Sequence, residues 1–172
     1  MGKIKDNFNK QVDKEVKGDI DLHQDRGLSI GIVIYCVLIG LYFVFHQTGS
    51  TGFFTESFGI FEAFLFYGIL VYWIVTSGLI IVGLRQPSRD LDTYGGLIFA
   101  TFAFAWLFVV FPFDFAYFAD VFPDSLSFLV QWISNGVARV LMVLFFIMHL
   151  FFTFYATILS IAVYKARAQR KA

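Results

Sequence analysis

Few side chains here could do chemistry, and most of those that could are single polar groups inside or beside long apolar runs. Glu62 and Arg139 are the sharpest pair. Counted along helices from the flanking basic residues Arg85 and Lys165, their heights differ by only about 4 to 5 Å. An ion pair near one membrane boundary is therefore predicted. It would lock two helices in register or, in a functional role, gate or bind a charged ligand. In either case, loss of one partner leaves the other charge stranded in a poorly solvated place.

His46 and His149 raise the question of a haem held between two helices, or of a quinone-associated redox subunit. The same count separates the two imidazoles by about 6 Å in height. Axial ligands need nearly one level, so no cofactor is assigned, and His149 is expected to bond to another helix. His46, Glu62, Asp114 and Asp120 offer nitrogen and oxygen donors for a metal ion, but no local spacing fixes a coordination geometry. With Glu56 and Asp124 the same carboxylates make an acidic rim that would concentrate cations at an entrance. Acids on one side of a membrane also follow simply from the exclusion of Lys and Arg there.

Catalytic signatures are missing from the pattern. Serines occur without a Gly-x-Ser-x-Gly elbow, and no phosphate-cradling glycine loop is present. The single cysteine, Cys36, rules out an internal disulfide and any multi-cysteine metal site. No enzyme is expected, and nothing points to nucleic acid. The opening Met-Gly lacks the Ser or Thr of a myristoylation signal, having Asp6 in its place. The first 27 residues are too polar for a cleavable signal peptide.

The elements that must position these groups follow from composition. Of 172 residues 58% are hydrophobic and only 15% charged, against about a quarter charged in soluble domains. A formal net charge of zero conceals an asymmetry. Arg139 apart, every Lys and Arg falls within residues 1–27, 85–92 or 165–172. The positive-inside rule puts both termini and the middle loop in the cytoplasm, giving an integral protein of the plasma membrane. The expected fold is all-α: a four-transmembrane-helix bundle over residues 28–168, with spans at about 28–46, 57–84, 93–111 and 136–165.

Residues 1–27 form a polar cytoplasmic tail in which Ile4, Phe8, Val12 and Val16 recur every fourth position, predicting an amphipathic helix that rests on headgroups or on a partner, with a break from Gly18 through Asp25. Residues 85–92, with Pro87 and Ser88, read as a tight hairpin. Residues 112–134, bracketed by Pro112 and Pro123 and rich in Phe and Tyr, read as an outer interfacial segment. Within it Asp124, Leu126, Leu129, Trp132 and Ile133 predict a short amphipathic helix.

Span four carries the most informative stripe. Stepping by four and three from Asn135 gives Arg139, Met142, Phe146, His149, Thr153, Ala156 and Ser160. In hydrocarbon such a stripe faces protein, because helix interfaces there favour small and hydrogen-bonding residues. Span three shows a small-residue seam at Thr93, Gly96, Ala100 and Ala103, and span two a face at Gly59, Glu62, Phe66, Ile69, Trp73 and Ser77. These features predict a non-catalytic integral membrane subunit that forms a homo-oligomer or scaffolds other membrane subunits. The alternative is a small cation channel or transporter subunit with an acidic outer vestibule and a path along Glu62, Arg139 and His149.

Overall fold

The computed structural model describes residues 2–17 and 22–171, with side chains for residues 5–16 and 26–170. Among the described residues the fold is all-α, with four helices long and apolar enough to cross a membrane: Arg26–Thr48, Ile60–Ile81, Arg85–Val110 and Asn135–Gln169. We label the helices α1 (Gly2–Lys17), α2 (Leu22–Thr48), α3 (Ile60–Ile81), α4 (Arg85–Val110), α5 (Asp124–Ser127) and α6 (Asn135–Lys171). Of residues 18–25, where a break is expected, 18–21 lie outside the described residues and 22–25 already belong to α2.

The bundle is open rather than closed. Among the helices, α2 packs against α3 alone, α3 against α4, and α4 against α6, while α3 and α6 make no direct backbone approach. The seam of α4 lies in these contacts, with Gly96, Ala100 and Ala103 all buried. Lipid tails are as apolar as Leu, so helices gain little by burying bulk, and close approach over small residues supplies the packing. A core of Leu65 and Ile69 from α3, Ala103 and Leu107 from α4, and Ala138 from α6 closes the end opposite the termini.

That end is capped by aromatic rings. Phe53 stacks among Phe43, Phe113, Phe115 and Phe118 with centroids 5.0 to 5.6 Å apart. Two backbone bonds stitch the loops together, Thr55 N–H to Pro112 O at 3.1 Å and Asp114 N–H to Phe53 O at 2.7 Å. The short helix expected after Asp124 is a single turn, and turns follow it to Trp132. Its cap residue is Pro123, and the Asp124 side chain makes no capping bond.

At the other end the chain departs from the expected hairpin. Gly83, at φ +86°, takes the left-handed position after α3. Leu84 N–H bonds Leu79 O and Gly83 N–H bonds Ile80 O, a Schellman closure. Helix α4 then starts at Arg85, about two turns earlier than predicted. Pro87 does not break it, because the first-turn N–H groups have no helical partner to lose. Ser88 Oγ–H donates to Thr76 O at 3.0 Å and ties the new helix to α3.

Helix α1 docks on α6. Phe8 meets the edge of the Tyr155 ring at 6.3 Å, Glu15 pairs with Arg89, and Arg167 donates to Glu15 O at 3.2 Å. Phe8 of the tail's thin apolar stripe thus finds a partner within the same chain.

A polar cleft between spans two and four

Because α3 and α6 diverge, a cleft of about 430 Å³ opens between them with α4 as its floor. Its walls are largely aromatic, including Trp73, Phe104, Phe145 and Phe152, and its polar groups are Tyr72, Asp92, His149 and Thr153. The floor is built unusually. From Asp92 to Ala100 the helix is wound as a π-helix of 9 residues, a form that recurs at functional sites.

Gly96 is where three helices meet. A methyl group placed on it would lie 2.9 Å from the Tyr72 hydroxyl of α3 and 3.0 Å from Thr153 Cγ2 of α6. Its carbonyl accepts from Thr101 Oγ1–H at 2.9 Å, five residues on, and from His149 Nε2 at 3.1 Å. A carbonyl cannot donate, so the imidazole carries its proton on Nε2. Phe104 packs beside that ring at 5.4 Å.

Asp92 lies on the order of 10 Å of helix rise inside Arg85. The Tyr72 hydroxyl donates to Asp92 Oδ1 at 2.9 Å. The carboxylate is half-buried and forms no salt bridge among the described residues. The nearest basic side chain in sequence, Arg89, is engaged by Glu15. Asp92 also borders a second cavity of about 220 Å³, lined by Glu15, Arg85, Ser88 and Arg89, so it joins the cleft to the face covered by α1.

The expected pair of Glu62 and Arg139 does not form. Glu62 accepts from Trp106 Nε1–H at 2.9 Å and from Gly59 N–H at 3.1 Å, tying α3 to α4. Arg139 is exposed and sits over the Phe111 ring, 4.1 Å from its centroid, a cation–π contact in place of a carboxylate. At this level Ala138, 2% exposed, takes the protein-facing position on α6, and Arg139 lies beside it. Further along, the stripe turns inward, with Thr153 buried and His149 half-buried. Ser160 is half-buried two turns beyond Thr153 and takes no part in the cleft.

The outer residues are not gathered into a metal site. Among the described residues no group of three or more His, Cys, Asp or Glu side chains could hold an ion. His46 is 1% exposed, bonded through Nδ1 to Thr51 Oγ1 at 2.6 Å and surrounded by Tyr42, Phe53 and Phe118. It belongs to the aromatic cap, and His149 to the Gly96 junction, so the two imidazoles do not face a common haem. Asp114 accepts from Ala116 N–H and from Asn135 Nδ2, while Asn135 Oδ1 accepts from Phe115 N–H at 2.7 Å. These bonds anchor the start of α6 to the cap. Glu56, Asp120 and Asp124 are exposed.

Reading by sequence missed Asp92 and Tyr72. In the sequence Asp92 reads as one more charge of the 85–92 loop, and Tyr72 as one aromatic among many. The one signal that could have found them is the Gly95-Gly96 step, which lets the Tyr72 ring reach Asp92: a methyl on Gly95 would lie 3.0 Å from Tyr72 Cε2. No protein family, curated protein or solved structure matches the chain.

Proposed function

We propose that this chain is a non-catalytic membrane protein that binds a cation in the cleft at Asp92, in the class of small transporters or channel subunits. The observation that carries the reading is the half-buried Asp92 carboxylate, held by one tyrosine hydroxyl and by no salt bridge among the described residues. A carboxylate within a membrane span is costly unless it is neutralised, and such groups mark ion and substrate paths. The acidic outer residues are not part of this path; the site belongs to the half of the span nearer the termini. In this reading that half faces the cytoplasm of a plasma-membrane protein, in accord with the Lys and Arg distribution.

The test is charge movement in proteoliposomes of the full chain after concentration jumps of sodium, potassium and alkylammonium salts, compared with Asp92→Asn. A signal from at least one cation that disappears in Asp92→Asn supports the reading. No signal from any cation in the unaltered protein would refute it.

A second reading, a membrane subunit that oligomerises or scaffolds a larger complex, is favoured by the one-sided packing of α2. Gly27 and Gly31 lie exposed on that helix, and a methyl on either would meet nothing within 4 Å. A second copy laid against this surface could approach closely. A gently solubilised particle heavier than the 19.7 kDa chain, reverting to one chain in Gly31→Leu, would support it. A single chain at every lipid dilution would dismiss it.

A further inference from the structure

The cleft also has a shape and a lining, and these restrict which cation it suits. Its 430 Å³ falls within the ~300–1,000 Å³ typical of small-molecule sites and far exceeds the ~30 Å³ share of a water. A bare metal ion would find too few ligands there. Hard cations such as calcium and magnesium take roughly six oxygens, whereas the cleft offers the Asp92 carboxylate, the Tyr72 hydroxyl and the Thr153 hydroxyl. His149 brings no acceptor on Nε2, which is committed to the Gly96 carbonyl.

The remaining surface is aromatic: Trp73, Phe104, Phe145, Phe152 and Tyr155, together with the ring of Tyr72. Ring faces attract cations, and more strongly when both are out of water. One carboxylate oxygen beyond the Tyr72 bond remains to accept from an N–H. This pairing of a single fixed charge with apolar, π-rich walls suits a ligand that is itself a charge joined to an apolar body.

We infer that the cleft between α3 and α6 binds a lipophilic organic ammonium, its cationic head on Asp92 and its apolar body among Trp73, Phe104 and Phe152. This rests on the cation-binding reading and names the ligand class of the same site. The head lies at the junction with the smaller cavity beneath α1, so the ligand is oriented with its charge toward the termini and its body toward the bilayer centre. Tyr72 is a positioning residue: its hydroxyl holds Oδ1 and leaves the other oxygen for the ligand.

The experiment uses the full chain in phosphatidylcholine nanodiscs with 2-phenylethylammonium as probe, 2-phenylethanol as its neutral counterpart, and the fluorescence of Trp73 as readout, with Trp73→Phe to identify its share. We expect saturable quenching by the ammonium, weaker binding of the alcohol by about tenfold or more, and a similar loss in Asp92→Asn, the scale of a lost hydrogen bond to a charged group. Tyr72→Phe should weaken the ammonium by a smaller factor. If Asp92→Asn does not fold, the comparison of amine with alcohol on the unaltered chain still decides. Equal saturable binding of alcohol and amine would overturn the inference, since the cleft would then be an apolar slot that an acyl chain could fill. Sodium or potassium jumps that move charge, with no saturable ammonium binding, would overturn the ligand class and leave the cation reading standing. Silence toward every cation would overturn both.

Discussion

Replacing Gly96 with alanine tests the three-helix junction most directly. The added methyl would stand 2.9 Å from the Tyr72 hydroxyl, 3.0 Å from Thr153 Cγ2 and 3.2 Å from Thr153 Oγ1, so at least one neighbour must move. Tyr72 has little room to retreat, because its ring lies against Gly95 and its hydroxyl is bonded to Asp92. Overpacking of this kind costs about 1–3 kcal/mol. Displacing the hydroxyl adds the loss of a hydrogen bond to a charged group, about 1.5–3 kcal/mol if it breaks outright. The better helix propensity of alanine returns up to ~1 kcal/mol. The net expectation is a destabilisation of about 0–3 kcal/mol if the hydroxyl keeps its bond and about 1.5–6 kcal/mol if it loses it.

Gly78→Ala is the matched control. It makes the same exchange in α3, where nothing lies within 4 Å of the new methyl, and it should be neutral or stabilising by up to ~1 kcal/mol. Reversible unfolding in mixed micelles, titrated with sodium dodecyl sulfate and followed by tryptophan fluorescence and circular dichroism, reads the difference. Thr153→Ala in the Gly96→Ala background removes two of the three close atoms and should recover part of the loss, giving a non-zero coupling in the cycle. If Gly96→Ala proves as stable as Gly78→Ala, the helices are not packed over Gly96 as described, and the cleft built on that junction falls with it.

Two further outcomes follow from the contacts. In a double-mutant cycle Glu62→Gln and Arg139→Gln should be additive within error, because the two groups contact Trp106 and Phe111, not each other; a clear coupling would restore the ion pair. Glu15→Gln should loosen α1 from Arg89 while leaving the Arg167 bond to the Glu15 carbonyl, and hydrogen exchange across α1 should rise about tenfold, equivalent to ~1.4 kcal/mol of local opening; unchanged protection would show that the contacts of α1 with α6 hold the helix without the ion pair.

What the linear chain determined by itself was the number of the crossings. Hydrocarbon thickness demands about 20 apolar residues per helix, and no other arrangement of this composition satisfies the backbone. It also determined which seam of α4 faces protein and, from Met142 onward but not at Asn135 and Arg139, which stripe of α6 does, since hydrogen-bonding and small side chains have no favourable place among acyl chains. The rise of ~1.5 Å per residue makes height legible, but it says nothing of how each helix is turned relative to its neighbours.

That rotation was decided only by the tertiary structure, and it assigned every partner. Glu62 and Arg139 stand at similar heights, yet one is turned to Trp106 and the other to Phe111. His46 was drawn into the aromatic cap because the loops fold back over it, a contact between distant segments that no local spacing encodes. Asp92 became an intramembrane group because α4 begins at Arg85 in spite of Pro87 and then widens into a π-helix. Both events depend on the Schellman turn at Gly83 and on the meeting of Tyr72 and Thr153 over Gly96. The candidate site exists because α3 and α6 diverge, and divergence is a property of packed helices rather than of any one of them.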